Sequence, residues 1–261
     1  MMQISDLIKR LYIKAARYLL GVRYMRVMEG PLKGYYFSTH SSYEYILGNY
    51  EDPAVIQTFL GWLKPDTVFY DLGAHIGYYS LLANRMINTG KIYAFEPLPT
   101  NRLVFEKILK LNHALIQHHN IELFPFAVSD SDKEIRFSND PAHAEGNTYI
   151  QTSPVFAHAA NSIMVKCISI DEWIKQANAV PDIIKIDVEG AEFAVLKGAM
   201  HTLQTYKPKI LLATHDCQLP GVKEQCLYLL KELGYTVTHT GYYNKQLAGL
   251  DDFLAIHPDR I

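Results

Sequence analysis

The sequence predicts an α/β fold, a mainly parallel sheet with helices on both faces. Three observations carry this reading. From residue 67 onward, short β-rich apolar runs alternate with segments of helix length and helical periodicity. The first run, Thr67 to Asp71, ends in an acid and feeds a glycine turn, Gly73 to Gly77, that opens a helix through Leu81, Leu82 and Met86. The chain's 261 residues, 49% of them apolar, are also enough for one large core.

The elements follow in order. Ile4, Leu7, Ile8, Leu11, Tyr12, Ala15 and Leu19 recur at three- and four-residue spacing, so residues 4–20 are expected to form an amphipathic helix with bases on its other face. Gly21 stops it. Six bases against the single acid Asp6 give residues 1–26 a local charge of +5, although the whole chain carries −2. Such a helix packs on its own domain or on a second subunit, or docks weakly on anionic lipid; the oligomeric state is open, with a dimer among the options. Residues 24–50 are rich in tyrosine and broken by Gly30, Pro31 and Gly34, which predicts a short strand pair and turns. Residues 1–52 are thus read as an N-terminal cap and 53–261 as the main domain, entered by a helix from Pro53 through Val55, Ile56, Phe59 and Leu60.

Within that domain, Lys91 to Glu96 is a second strand, 98–112 a helix, Ile121 to Val128 a third strand and Glu134 to Phe137 a fourth. The polar stretch from Asn139 to Ser162, with Pro141, Gly146 and Pro154, reads as a long insertion of the kind that serves as a functional lid or stays poorly ordered. Strands at Met164–Ile168, Asp182–Asp187 and Lys209–His215 then alternate with helices begun at Asp171, Ala191 and Val222. The last two strands, near 235–240 and 252–257, have no helix between them and are expected as an antiparallel pair at one edge.

Composition excludes several classes. A near-neutral charge, with a pI near 6.6, gives no hint of nucleic acid. Three unpaired cysteines argue against a disulfide framework and a cysteine zinc site. No apolar run approaches the ~18–20 residues of a membrane span, and charges interrupt the N-terminal stretch where a secretory signal needs an apolar core. A reduced, cytoplasmic setting is expected.

In parallel sheets ligands bind beyond the carboxyl ends of the strands, near the point where strand order reverses. Asp71, Glu96, Asp187, His215 and Asp216 all fall at expected strand ends. Glu96 lies 19 residues after Gly77, placed to accept hydrogen bonds from both ribose hydroxyls of an adenosine cofactor. The middle glycine of a dinucleotide turn is His75 here, whose side chain would crowd a diphosphate. S-adenosylmethionine fits better, because it has no diphosphate and its sulfonium tolerates carboxylates such as Asp71. A nicotinamide-dependent oxidoreductase on the same sheet stays as the alternative, and a catalytically silent module held at a membrane by residues 4–20 as another.

The segments Tyr70–Ser80 (YDLGAHIGYYS), Ala94–Pro97 (AFEP) with Asn101, Ala127–Asp130 (AVSD), and Ile184–Glu192 (IKIDVEGAE) followed by Leu196–Ala199 (LKGA) resemble the signatures of the FkbM family of S-adenosylmethionine-dependent methyltransferases. The resemblance spans residues 43 to about 240 in matching order and spacing. It implies a class I methyltransferase fold with a seven-stranded sheet, and O-methylation of a glycan or secondary-metabolite small molecule. It also implies that Asp71, Gly73, Ala74, His75, Gly77, Tyr78, Glu96, Pro97, Asn101 and Ala127 surround the cofactor, the backbone at Ala127 bordering adenine. His75 departs from the asparagine more frequent in the family. Ala213 stands where members often carry an acid two residues before the histidine, so that acid's role is dispensable or passes to Asp216.

Methyl transfer to a hydroxyl is an in-line displacement that also needs the acceptor's proton removed. Asp187 and Glu189 end one strand and His215 and Asp216 the next, and neighbouring strands lie roughly 4.8 Å apart. His215 is the expected base, its ordinary pKa being about 6.5, with Asp187 and Glu189 as its companions. Glu192 is read as an acid favouring a helix N-terminus. A Mg²⁺ site on Asp187 and Asp216 is a less favoured option. Tyr78, Tyr79, Tyr242 and Tyr243 are candidates to flank a sugar or polyketide acceptor. Nucleic-acid base methylation is disfavoured, because the Asn/Asp-Pro-Pro-aromatic pattern of such enzymes never occurs.

Overall fold

A computed structural model describes residues 4–138, 162–241 and 249–260. The expected insertion lies outside these residues except for Ser162, and so do Tyr242 and Tyr243.

The chain opens with helix α1 (Ile4–Leu19), strands β1 (Tyr24–Arg26) and β2 (Tyr36–Ser38), and helices α2 (Tyr43–Leu47) and α3 (Pro53–Trp62). Then follow β3 (Val68–Leu72), α4 (Tyr78–Asn84), β4 (Lys91–Phe95), α5 (Pro99–Leu111), β5 (Ile121–Phe124), β6 (Phe126–Val128), β7 (Glu134–Ser138) and β8 (Ser162–Ile168). The remainder is α6 (Ile170–Ala177), β9 (Ile183–Ile186), α7 (Glu192–Lys197), α8 (Met200–Thr205), β10 (Lys209–His215), α9 (Val222–Glu232), β11 (Thr236–Gly241) and β12 (Leu250–Ile256).

The main sheet has seven strands in the order β11-β12-β10-β9-β3-β4-β5. β3, β4, β5, β9 and β10 run parallel. β12 is antiparallel to both β10 and β11, the expected edge pair. Order reverses between β3 and β9, so the carboxyl ends of those strands border the crevice where ligands bind in such sheets. All four residues of β9 are buried, as a central parallel strand covered on both faces requires. The period of two then sorts the side chains. Phe69 and Asp71, Ile183 and Lys185, and Leu211, Ala213 and His215 share the face toward the N-terminal elements, so polar groups at the strand ends lie in line with apolar ones below them.

One strand was expected over Ile121–Val128, but two are found. Pro125 has no N–H to continue the ladder, so β5 ends there in the main sheet while β6 leaves it and pairs with β8 in a separate three-stranded sheet, β6-β8-β7. The N-terminal strand pair forms as expected, and its core is continuous with that of the sheet: Phe37, Tyr45 and Ile46 pack in one cluster with Phe59, Phe69 and Leu81.

Helix α1 differs from the simplest expectation in the face it buries. Ile13 and Ala16 are buried, Lys9 and Arg10 pair with Glu29 and Glu44, and Arg17 donates to the Thr39 carbonyl at 3.3 Å. The broad apolar stripe of Leu7, Ile8, Leu11, Tyr12 and Leu19, with Tyr18, is exposed instead. Paired acids on the cap draw the basic face inward.

Candidate active site

β3 delivers the chain to a turn whose shape is fixed by backbone contacts. Gly73 has φ +73°, and a Cβ there would stand 1.8 Å from the carbonyl oxygen of Asp187; only glycine lets the β3 and β9 ends approach this closely. Gly77 has φ +90° and carries the Phe105 ring where a Cβ would be. Between them His75 also has positive φ, +50°. That conformation admits asparagine and histidine more readily than other side chains, so the departure from asparagine leaves the turn intact. The His75 N–H donates to Glu96 Oε2 at 2.9 Å, and its Nδ1 lies 3.2 Å from the Tyr45 hydroxyl. Burial pushes the ring's pKa down to about 4, so it is neutral.

Glu96, just past β4, is 4% exposed. Its Oε1 accepts from the Leu98 N–H at 2.9 Å and from Asn101 Nδ2 at 3.2 Å. Burial outweighs these donors and pushes the carboxyl up to about 7. Gly73, His75, Glu96, Pro97, Asn101 and Ala127 line one cavity, and Asp187 and Glu189 close its far side. The lining suits S-adenosylmethionine: a carboxylate fixed by hydrogen bonds at Glu96, backbone admitted close by Gly73, and the further acids Asp187 and Glu189. Ala74, Gly77 and Tyr78 do not line this cavity. Asp71 does not reach it either. It is wholly buried behind the turn, accepts from Ser80 Oγ at 2.6 Å and lies 3.5 Å from Lys185 Nζ.

Lys185 was not anticipated. It is a cation inside β9, 5% exposed, that donates to the Gly73 carbonyl at 2.9 Å and pairs with Asp187 at 3.2 Å. Asp71 therefore acts on the site through Lys185, which ties the turn to the end of β9. A lysine within Ile-Ile-Lys-Ile was the available signal, since a charge in a fully buried strand needs partners.

The strand-end acids and His215 are brought together, with one addition. His215 Nε2 lies 3.5 Å from Asp187 Oδ1 and 3.6 Å from Glu189 Oε2. Its Nδ1 lies 2.7 Å from Oε1 of Glu192, which is wholly buried and also accepts from the Gly190 N–H. The acid expected only to favour a helix end thus also orients the histidine. Burial alone would lower the His215 pKa; Glu189, Glu192 and Asp187 overcome it and hold it well above 6.5. Burial lifts Glu189 to about 7 against the opposing charge of His215. For Asp187, burial is outweighed by Lys185 and His215, which hold its carboxyl below the usual range. Glu189 has φ +53°, a strained conformation of the kind found at functional sites.

Asp216 is not brought to this group. Its Oδ1 accepts from the Lys223 N–H at 2.9 Å, at the start of α9, because the chain turns away directly after His215. The Mg²⁺ pair of Asp187 and Asp216 is therefore replaced by a different donor set: one atom each from Asp187, Glu189 and His215 lies within 4.8 Å of the others. The tyrosines also part. Tyr78 lines a neighbouring cavity, whereas Tyr79 is buried and donates to Glu51 Oε2 at 2.7 Å.

The family model of the methyltransferase FkbM domain matches residues 71–242. The hexuronic acid methyltransferase AglP of Haloferax volcanii is 30% identical over 152 residues, 58% of this chain and 57% of that protein. Methyltransferase sdnD of Sordaria araneosa is 25% identical over 202 residues, 67% of this chain and 76% of that one. The chain thus spans little more than half the length of the first relative. Among solved structures, the methyltransferase FkbM from Methylobacillus flagellatus superposes with a TM-score of 0.53 at 15% identity, covering 75% of this chain and 44% of that one. The precorrin-6y C5,15-methyltransferase of Geobacter metallireducens gives 0.50 at 15% identity, covering 84% and 93%. These likenesses agree with the class I methyltransferase fold, and the family match removes the nicotinamide alternative.

Proposed function

Since this chain belongs to the FkbM family of S-adenosylmethionine-dependent methyltransferases, we propose that it methylates a hydroxyl oxygen of a glycan or secondary-metabolite small molecule. The observation that carries this reading is His215 held among Asp187, Glu189 and Glu192 at the carboxyl edge of the sheet, beside the cavity that Glu96 and His75 share. A hydroxyl needs such a group, because its proton must leave as the carbon–oxygen bond forms. The relative from Haloferax, a hexuronic acid methyltransferase by name, supports a sugar hydroxyl as the acceptor.

S-adenosylmethionine supplies an electrophilic methyl group. Glu96 takes the ribose hydroxyls, with Asn101 and the His75 N–H fixing its carboxylate, while Lys185 and Asp71 hold the turn. His215 Nε2 is the atom that receives the acceptor's proton. In the cofactor-free protein the surrounding carboxylates keep that nitrogen protonated. A positive charge that Asp187 and Glu189 would hold would offset them and lower the His215 pKa toward the range of a working base. Glu192 keeps Nδ1 engaged, so Nε2 points to the acceptor.

The donor set of Asp187, Glu189 and His215 favours a second reading, in which a divalent cation such as Mg²⁺ lowers the acceptor's pKa. Product formation from a panel of hydroxyl acceptors, followed by mass for the gain of one methylene, tests the function. Activity that survives a chelator supports the free base. Activity abolished by the chelator and restored by Mg²⁺ supports the metal. No methylated product and no S-adenosylhomocysteine binding would end the proposal.

A further inference from the structure

A cavity of about 620 Å³ opens between the loop before α3 and the β11–β12 edge, lined by Asn49, Tyr50, Glu51, Tyr78, Thr240 and Asp252 among others. Tyr50 also lines the cofactor cavity, so the two share a wall. Two carboxyl groups that the transfer chemistry does not use face it. Glu51 is engaged by the Tyr79 hydroxyl at 2.7 Å. Asp252 is 8% exposed and pairs across the β-ladder with Ala213, which puts its side chain on the His215 face of the sheet. Among the described residues no hydrogen bond or ion pair reaches the Asp252 carboxyl, which lines the cavity and is left open to a hydroxyl there. Burial first, and then the nearby charges of Glu51 and Asp187, push it up to about 8 against the opposing charges of His215 and Lys185. Burial likewise raises Glu51, against its hydrogen bonds from Tyr79 and the Asp52 N–H, with Asp187 and Asp52 adding to the rise.

We propose that this cavity is the acceptor site and that it takes an uncharged polyhydroxylated ring, a glycosyl unit whose hydroxyls bond to Asp252 and Glu51 between Tyr50 and Tyr78. The inference rests on the O-methyltransferase reading and narrows it. Neutral hydroxyls satisfy a carboxyl whether or not it is ionised, since each can donate or accept. An anionic sugar would have to shed its water beside two carboxyl groups and Asp187, and at Asp252 the charges of Glu51 and Asp187 outrank the opposing ones of His215 and Lys185. The hexuronic acid of the Haloferax relative's name is therefore the wrong charge for this cavity.

The test uses the full chain saturated with S-adenosylhomocysteine and titrated with methyl glycosides: a panel of neutral hexosides and pentosides, the matching uronides, and methyl glucosaminide. At least one neutral glycoside is expected to bind at least about tenfold more tightly than its uronide. Asp252→Leu should weaken neutral binding by at least about tenfold with S-adenosylhomocysteine affinity unchanged. Asp252→Asn should keep neutral binding and, above about pH 8 where Asp252 is ionised, narrow the gap to the uronide, which separates lost charge from lost bonding. Equal or tighter uronide binding, preference for the cationic glucosaminide, or an Asp252→Leu variant that binds like the parent would each overturn the proposal. So would a panel in which no sugar binds while S-adenosylhomocysteine does, and then the methyltransferase reading survives. Failure to bind S-adenosylhomocysteine would instead remove that reading itself.

Helix α1 carries a separate feature. Its outward face of Leu7, Ile8, Leu11, Tyr12, Tyr18 and Leu19 holds about half of the exposed large apolar side chains among the described residues. Lys14, on α1 beside that face, and Arg23, past the end of the helix, are exposed and outside any ion pair among the described residues, while Glu29 and Glu44 are engaged by Lys9 and Arg10. We infer that α1 lies on an anionic membrane surface, apolar face down, with Lys14 at its rim and Arg23 just beyond the helix end. A second copy fits less well, since a twofold contact would bring both sets of bases to one seam. Full-length protein should sediment with phosphatidylcholine vesicles containing about 25% phosphatidylserine and be released by salt or by leaving out the serine lipid. The double variant Leu11→Ser, Leu19→Ser should stay in solution with melting temperature and S-adenosylhomocysteine binding unchanged. A parent that ignores these vesicles overturns the inference, as does a parent dimer that this variant converts to monomer without any vesicle binding.

Discussion

Glu192 Oε1 stands 2.7 Å from His215 Nδ1, a contact between two buried side chains that leaves Nε2 turned to Asp187 and Glu189. Glu192→Gln removes the charge and keeps the shape. With one carboxylate fewer beside it, His215 should lose its proton at lower pH, so the activity limb that reports this base moves acidward by about 1–3 units. A rate profile against pH that stays in place would show that Glu192 supports only the fold.

His215→Ala should slow turnover by about 10² to 10⁴ while leaving S-adenosylhomocysteine affinity nearly unchanged. Single-turnover rates with a saturating acceptor, set beside calorimetric titration of the cofactor product, give both numbers. Turnover within a few-fold of the parent would move the proton to Asp187, Glu189 or water.

Glu96→Ala should weaken S-adenosylmethionine binding by roughly 2–4 kcal/mol, the range for losing charged hydrogen bonds that partly overlap. The same change releases the His75 and Leu98 N–H groups, so its melting temperature should also drop. Glu96→Gln retains an acceptor and is expected to recover part of the stability but little of the affinity. Unchanged affinity in either variant would displace the ribose site.

Much of this site could be read from the sequence because its acids end predicted strands. Glu96, Asp187 and His215 were marked by position and the glycine turn by its spacing, whereas Asp71, marked the same way, lies behind the turn and not in the cavity. What stayed hidden depends on register. Asp252 matters because β12 runs antiparallel to β10 and sets it opposite Ala213, and no local pattern states that pairing. Glu51 sits in a loop whose approach to the sheet is a tertiary fact. Asp216 misled for the reverse reason: its neighbour His215 faces the crevice, and one residue further the chain has already turned toward α9. The split at Pro125 was legible in principle, since proline cannot donate to a ladder.

Burial raises Glu96 and Glu189 to about 7 and Asp252 to about 8, whereas free carboxyls titrate near 4. An acid whose pKa is higher folded than unfolded holds more protons in the native state across that window. Its stabilising contribution is complete at low pH and is lost as pH climbs through the folded value; His215, raised as well, acts in the same direction. The cofactor-free protein should accordingly melt at progressively lower temperature from about pH 5 to about pH 8. Glu96→Gln should flatten the slope. A melting temperature that rises over this interval would contradict the buried placement of these acids.

His75 is held at φ +50°, which a β-branched side chain tolerates poorly. His75→Asn should preserve fold and cofactor binding, while His75→Val should cost roughly 1–2 kcal/mol and lower the melting temperature by several degrees. Thermal scans of the two variants decide it, and equal stability would mean that the turn relaxes to another conformation.

The pairing of Ala213 with Asp252 has a consequence for how this chain is compared with others. Aligned column by column, the missing acid before His215 reads as a loss; in space, a carboxyl stands on the neighbouring strand at the same level of the sheet. A carboxyl on either strand would reach the same place, so positions 213 and 252 are expected to trade it between them. Relatives with an acid at the first are expected to carry an uncharged residue at the second, and Ala213→Asp should rescue an Asp252→Ala variant.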